Sequence, residues 1–310
     1  MAKYDIITFA DTCIDILVSG QDVTPQFGQV EKLVDNYSLE LGGSCCLFAA
    51  QAAKLGMKVA VLGRVGADAF GQLVIDKLEA AGVDTRYLTV DASIKTGMTV
   101  HLTPTGSNDR AMLTYLGSLA AVSPADVTDE FLQSGRHLHY ASLFLHTQLI
   151  PVWGDIIKRA KGFGLTTSLD TNYDPSEQWD AGLSRTLSDI DILMPNEQEA
   201  RLIAHQPTLD EALIHLRERV NLLTLKLGAE GAQVYSPQAT YAHQPPPAER
   251  GGDTTGAGDA FDAGFLAGWL SGLPLETCLQ IGCECGRSVA GSVGGYAGQL
   301  WRRDVSNLTP

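Results

Sequence analysis

Short apolar runs alternating with helix-length segments constrain this 310-residue chain more than any other feature. Strands are predicted over residues 4–9, 58–62, 138–143, 165–170, 190–194 and 221–226, most of them separated by segments long enough for a helix. A strand buried on both faces reads as a continuous apolar run, and parallel neighbours need a long crossover between them. The pattern therefore predicts a doubly wound α/β fold: a mostly parallel sheet with helices on both faces. Helices predicted over 44–55, 69–81 and 153–163 stop just before Gly56, Gly82 and Gly164, where a left-handed residue can end each of them. Hydrophobic residues make up 45% of the chain, ample for a core, and α/β folds of this length often form one domain.

Residues 12–41 and 96–115 break the pattern. In the second, TGMTVHLT and RAMLTYL flank the turn-rich TPTGSND, and both stretches read as antiparallel strands. Neither carries a helix, so neither can extend a parallel sheet as a βαβ unit. A small separate sheet is the simplest place for them.

The run Gly251 to Phe261, GGDTTGAGDAF, is the strongest candidate for chemistry. Gly256, Ala257 and Gly258 lack bulk, so their backbone N–H groups can approach an oxyanion where the helix dipole also favours negative charge. Asp259 follows in the first turn. A carboxylate beside an anion pocket repels the ligand, a cost that makes sense if it accepts a proton from an attacking hydroxyl. A first-turn Asp can equally serve the dipole, and a Gly-rich loop can merely turn the chain. The residues alone leave both readings open.

This run resembles the second signature of the ribokinase-like (PfkB) carbohydrate kinase family, D-T-x-G-A-G-D-x-F. Asp253, Thr254, Gly256, Ala257, Gly258, Asp259 and Phe261 all fit it. The resemblance implies that Asp259 is the catalytic base, that the amides of Gly256, Ala257 and Gly258 form the anion hole, and that the small sheet is a lid over a sugar site. It extends in order over nearly the whole chain, so residues 1–310 are expected to form a single kinase domain with a discontinuous lid from about 12–41 and 96–115.

Asp11 and Asp15 follow the first strand, at the carboxyl edge where open α/β sheets bind ligands. An acceptor-only carboxylate suits a compound with paired hydroxyl donors, although solvated loop acids would look the same. The family has an Asp at the Asp15 position that holds substrate hydroxyls, and often a polar contact at Asp11. Gly42 and Gly43 precede the helix beginning at Ser44 and match the Gly-Gly of the family's first signature, where backbone approaches the acceptor. The family then has a substrate-binding Asn where this chain has Leu47, and small residues where it has Cys45 and Cys46. That departure suggests an altered, less polar acceptor pocket.

GRVGADAFG, residues 63–71, fits another family element, and its Asp68 reads as a helix cap. MPNEQEA supplies the N-x-x-E pattern through Asn196 and Glu199, which in the family organises Mg²⁺ and phosphate, mostly through water. LTLKLGAEGA resembles the nucleotide side, with Gly228 and Gly231 near the adenosine and Lys226 near phosphate. A lysine inside so apolar a run needs a partner. Asn172 matches the family's Asn after Asp, but the basic residue that should follow is replaced by Asp174. The C-terminal GSVGGYAG, residues 291–298, lies where the family binds nucleotide or a monovalent cation.

Other classes fit poorly. No Gly-Lys pair exists for a Walker-type loop, and Phe261 occupies the third glycine position of a dinucleotide fingerprint. A formal net charge of −14 opposes binding to nucleic acid or an anionic membrane. The apolar start IITFADTCIDILV is interrupted by Asp11 and Asp15, so neither a signal peptide nor a membrane span is expected, and a cytoplasmic location is. Six cysteines without a C-x-x-C read as reduced core thiols. His137 and His139 alternate on a predicted strand but lack a third ligand, which favours a structural role. The expectation is an ATP- and Mg²⁺-dependent kinase acting on a hydroxyl of a sugar, sugar acid or polyol. The alternatives are a nucleoside kinase of the same family and a lapsed kinase that only binds sugar or nucleotide. An exposed lid edge would favour a homodimer.

Overall fold

The computed structural model describes residues 2–106, 110–248, 254–306 and 308. The turn residues 107–109 and the start of the signature, Gly251, Gly252 and Asp253, lie outside the described residues. The N-terminal part runs β1 (Ile6–Phe9), β2 (Cys13–Gly20), β3 (Asn36–Gly42), α1 (Ser44–Lys54), β4 (Val59–Gly66), α2 (Ala69–Ala81), β5 (Asp84–Asp91), β6 (Gly97–Pro104), β7 (Ala111–Tyr115) and α3 (Asp129–Ser134). The chain continues through β8 (His137–Tyr140), α4 (Trp153–Gly162), β9 (Thr166–Leu169), α5 (Leu183–Thr186), β10 (Ile192–Leu193), α6 (Glu197–Ile203) and α7 (Leu209–Arg217). It ends with β11 (Leu222–Lys226), β12 (Ala232–Tyr235), β13 (Thr240–His243), α8 (Ala257–Leu270) and α9 (Leu275–Ala290).

Nine strands form one sheet in the order β13-β12-β11-β10-β9-β8-β1-β4-β5. From β11 to β5 every pairing is parallel, and β12 and β13 add an antiparallel edge. Alternation along β1 separates two cores. Ile7 and Phe9 pack with Phe131, Trp153 and Ile156 from α3 and α4, whereas Ile6 packs with Phe48, Val74 and Phe265 from α1, α2 and α8. This is the doubly wound layout expected, and each strand predicted from an apolar run is present. Gly82, with φ of 91°, caps α2 in the left-handed conformation as its position demanded. Asp68 caps the same helix at its start, accepting from Gly71 N at 2.8 Å.

The strands outside the pattern form a separate four-stranded sheet, β3-β2-β6-β7. Its outer pairs are antiparallel, as expected, but the central pair β2–β6 is parallel. The chain leaves the small sheet after β3, makes α1, β4, α2 and β5, and returns as β6. That excursion is a crossover, and it permits a parallel pair.

Beside β1 the strand order reverses: β4 and β5 extend the sheet one way, β8 to β11 the other. Such a switch point opens a crevice at the carboxyl ends of the strands. Asp11 follows β1, Ser142 follows β8, Asp170 follows β9, Asn196 follows β10 and Lys226 ends β11, so all five meet at one edge.

Candidate active site

A cavity of about 1550 Å³ occupies that crevice and continues under the small sheet. It joins Asp11, Asp15 and Gly43 on one side to Asn196, Glu199, Lys226, Gly228 and Gly231 on the other, with Gly256, Ala257, Gly258 and Asp259 between them. Gly42 does not line the cavity. A Cβ there would collide with Asp15 Oδ1, so this glycine makes room for the aspartate rather than for a ligand. Gly43, with φ of 83°, lies against the Asp11 backbone and is equally closed to a side chain.

Strand register decides which side chains of the small sheet face the cavity. Cys13 and Asp15 on β2 pair with Gly97 and Thr99 on β6, and Thr99 and His101 pair with Thr114 and Met112 on β7. Because side chains alternate between faces, Asp15, Thr99, His101, Met112 and Thr114 all line the cavity. Asp15 Oδ1 stands 3.4 Å from His101 Nε2, and Thr99 and Thr114 hydroxyls are 3.1 Å apart. His101 was invisible to motif reading; a period-two count along TGMTVHLT, once β2 was its partner, would have placed it.

Asp11 is more deeply committed to structure. Its Oδ1 accepts from the Cys45 and Cys46 amides at the start of α1 (3.0 and 3.4 Å), and its Oδ2 accepts from Ser142 Oγ at 2.5 Å. Burial pushes its carboxyl up to about 6 despite those bonds. Leu47, in the same helix, is buried. A Cβ on Gly256 would lie 3.0 Å from its Cδ1, and one on Gly295 would lie 2.6 Å away. Leu47 thus wedges the signature turn against the C-terminal segment 291–298, which explains an apolar residue there.

The signature turn meets α8 at Gly256, left-handed with φ of 73°, whose Cα side is closed by Gly295 at 2.8 Å. Ala257 N donates to Thr254 O at 3.2 Å, so this amide closes the turn, while a helix's other first-turn amides have no intrahelical acceptor. Around Gly258 the space is open: an added Cβ would meet nothing nearer than Lys226 Nζ, at 3.5 Å. Asp259, 7% exposed, follows in the same turn. Burial, reinforced by Asp170, drives its carboxyl well above the ordinary range, and Lys226 opposes the shift.

Lys226 has the partners its apolar strand required. Its Nζ donates to Asp170 Oδ2 at 2.6 Å and Asp262 Oδ2 at 3.2 Å. Burial opposes its charge, but these carboxylates outweigh burial and raise its pKa. Asp170 is correspondingly held below its usual value although it is buried, whereas burial raises Asp262. Asp170 is the Asp that precedes Asn172 in the family pattern, whereas Asp262 carries no signal in the sequence beyond its place on α8.

Asn196 and Glu199 form a capping box for α6: Asn196 Oδ1 accepts from Glu199 N at 2.9 Å, and Glu199 Oε2 accepts from Asn196 N at 2.8 Å. Burial, then Asp170, pushes Glu199 up to about 7. Asn172, left-handed with φ of 55°, ties Ser142 N (2.8 Å) to Ser44 Oγ (3.0 Å) across the crevice floor. Asp174, in place of a basic residue, accepts from the amides of Ser176, Gln178 and Trp179 and folds the following loop. His137 and His139 are buried, share Ser168 as a hydrogen-bond partner and are held neutral by burial, both down to about 3. All six cysteines are free and buried.

Among the described residues no group of three or more metal-ligating side chains clusters, and no helix is long and apolar enough to cross a membrane.

The family described as pfkB family carbohydrate kinase matches residues 5–302. The ATP-dependent ribose-1-phosphate kinase of Halopiger xanaduensis is 30% identical, over 82% of this chain and 81% of its own. Two solved structures share the fold: Arabidopsis thaliana ribokinase with ribose and ATP (TM-score 0.83, 22% identity, 99% of both chains), and an E. coli protein described as a candidate ribokinase II, with ATP and Mg²⁺ (TM-score 0.86, 24% identity, 98% of both). With the signature turn, the switch-point crevice and the separate small sheet all in place, the chain belongs to the PfkB family of carbohydrate kinases, phosphotransferases with an alcohol group as acceptor.

Proposed function

We propose that this kinase transfers the γ-phosphate of ATP to a hydroxyl of an unphosphorylated sugar, sugar acid or polyol, and that residues 1–310 act as one domain whose lid is the small sheet, about 12–41 and 96–115. The supporting observation is the single cavity that runs from Asp15 and His101, past Asp259, to Asn196 and Gly228. Its Asp15 end offers hydroxyl acceptors, and its other end offers glycines and oxygen donors suited to a nucleotide. Asp259, between them, takes the proton of the acceptor hydroxyl. The acceptor oxygen bonds to the γ-phosphorus as the bond to the bridging oxygen breaks, and the electron pair leaves on ADP. The Gly256 and Gly258 amides, at the positive end of α8, stabilise the charge in transfer.

Asn196 and Glu199 fit Mg²⁺ held through water: the capping box takes Glu199 Oε2 and leaves Oε1 of a buried acid, and Asn196 Oδ1 keeps a second lone pair beyond its bond from Glu199 N. Bound there, Mg²⁺ would offset phosphate charge. Gly228 and Gly231 take the adenosine side, with Lys226 behind Gly258 as the fixed positive charge. A monovalent cation at residues 291–298 would act through the Gly295–Gly256 contact, and replacing potassium by tetramethylammonium tests that. Six buried reduced thiols and the ATP requirement suit the cytoplasm.

The cavity-averted face of the small sheet carries Tyr37, Leu39, Leu113 and Tyr115, all exposed. We assign that face to a second copy of the chain, and sedimentation at micromolar concentration should show a dimer.

An ADP-coupled screen across sugars, sugar acids, polyols and nucleosides tests the function. Steady ADP formation with a polyhydroxy acceptor is expected. Turnover of nucleosides alone would move the acceptor class, and binding without turnover would make the protein a sensor.

A further inference from the structure

We infer that His101 sets acceptor specificity: together with Asp15 it holds one hydroxyl of the acceptor, which donates to the carboxylate and accepts from the imidazole. An acceptor with hydrogen, an oxo or carboxylate oxygen, or an ammonium at that position is rejected. The inference rests on the kinase reading and narrows its acceptor. Four histidines are buried, and His101 is the one that lines the cavity. His137 and His139 have hydroxyl partners on β9. Neither ring nitrogen of His101 has a hydrogen-bond partner among the described residues, and its side chain is only 5% exposed. A buried polar group left unpaired is costly, and a ligand that pairs with it removes the cost.

The partner for this ligand contact is Asp15. Its Oδ1 lies 3.4 Å from His101 Nε2 and otherwise accepts only a long bond, 3.9 Å, from Cys13 Sγ among the described residues. Beside a carboxylate oxygen Nε2 is the protonated nitrogen, because its lone pair would face another lone pair. An oxygen about 2.8 Å from both atoms closes a triangle on that edge and makes two hydrogen bonds of ordinary length. A hydroxyl serves both: its O–H donates to Asp15, and its lone pair accepts from Nε2–H. A carbonyl or carboxylate oxygen has no proton for Asp15, an ammonium has no lone pair for His101, and a methylene has neither. Thr99, Met112 and Thr114, which share this cavity face, are uncharged, so the selection falls to the His101–Asp15 pair.

The test offers D-ribose, D-fructose, D-glucose and D-gluconate, each beside its monodeoxy and amino-deoxy forms, to wild type, His101→Phe and His101→Ala, with ADP formation as the readout. For the best of the four, one position should show a preference for hydroxyl over hydrogen of at least ~10²-fold in wild-type kcat/KM, since two buried groups lose their partner together. His101→Phe keeps a ring in the sheet and removes both nitrogens. It should cut that preference at least ~tenfold and leave the Kd for ATP within about threefold. Both sugars meet the same sample, so partial unfolding slows both and keeps the ratio, and a histidine that only supports the fold leaves the ratio unchanged. If His101→Phe does not fold, His101→Ala is read by the same ratio. No such position in wild type, or a smaller cut in the variant, would overturn the assignment. Absence of ADP with all four sugars sinks the sugar-kinase reading by itself. The same preference is then read as a ratio of Kd values by calorimetry: its loss in the His101 variant supports the assignment, and its persistence, or no binding by wild type, overturns it.

Discussion

Lys226 Nζ lies 2.6 Å from Asp170 Oδ2, and this ion pair sets the charge beneath the first turn of α8. Asp170 is buried, the Lys226 side chain is 12% exposed, and buried Asp262 completes the cluster at 3.2 Å. Removing the lysine would leave two carboxylates together in low dielectric. Breaking a buried pair by deleting one partner costs about 3–5 kcal/mol. Lys226→Met should therefore lower the unfolding free energy, extrapolated from urea titration at neutral pH, by that much. A loss below about 1 kcal/mol, the worth of a surface pair, would mean that water screens the cluster.

Asp259 is the proposed base, and Asp259→Asn should lower turnover by roughly 10² to 10⁴ while ATP binding is largely kept. Retention of more than about a tenth of wild-type turnover would refute the role. The pH profile gives a second reading. Burial raises the Asp259 carboxyl, so the proton is held more tightly than in solution and the base is lost as pH falls through that raised value. The acid limb of kcat/KM should lie well above the ordinary aspartate value of about 3.9, and Asp259→Asn should change its shape, leaving only the limbs of Glu199, at about 7, and Asp11, at about 6.

Gly258 has room for a side chain as far as the protein is concerned, since an added Cβ would sit 3.5 Å from Lys226 Nζ. The space it would fill is the space over the turn. Gly258→Val should abolish transfer with the thermal midpoint nearly unchanged, and activity is read beside thermal unfolding. Lost activity together with a collapsed melt would assign the glycine to the fold. Gly256 makes the contrast, because its left-handed backbone and the Gly295 contact leave no such choice.

The parallel strands flanking the switch point were readable, though not their order, because strands buried on both faces leave uninterrupted apolar runs. β5, DTRYLTVD, escaped because it is an edge strand with no fully buried residue, and the short β12 and β13 hairpin strands mix polar and apolar side chains. The parallel β2–β6 pair escaped for another reason: local alternation predicts a strand but says nothing of which distant strand it meets. At the site, Asp259 and the glycines before it stood in a contiguous motif. Asp262 and His101 did not, and Asp170 showed only as the Asp before Asn172, since their meeting depends on strands far apart in sequence. Leu47 reads as a lost acceptor contact and does line the cavity, but its packing against Gly256 and Gly295 is visible only in the fold.

Asp15 is the carboxylate most open to an acceptor, because Asp11 spends its oxygens on α1 and Ser142 whereas Asp15 faces the cavity beside His101 and Thr99. Asp15→Ala should hurt the acceptor and spare ATP. Hydrogen bonds to a charged group contribute about 1.5 to 3 kcal/mol each, so kcat/KM for the acceptor should fall at least tenfold. The ATP dissociation constant should stay within about threefold, since loss of acceptor contacts leaves the nucleotide end of the cavity unchanged. Gly42→Ala offers an independent check. Its Cβ would push on Asp15 Oδ1 without entering the cavity, so it should raise acceptor KM in the same direction. If ATP binding weakens in either variant while acceptor kinetics hold, the two ends of the cavity are assigned the wrong way round.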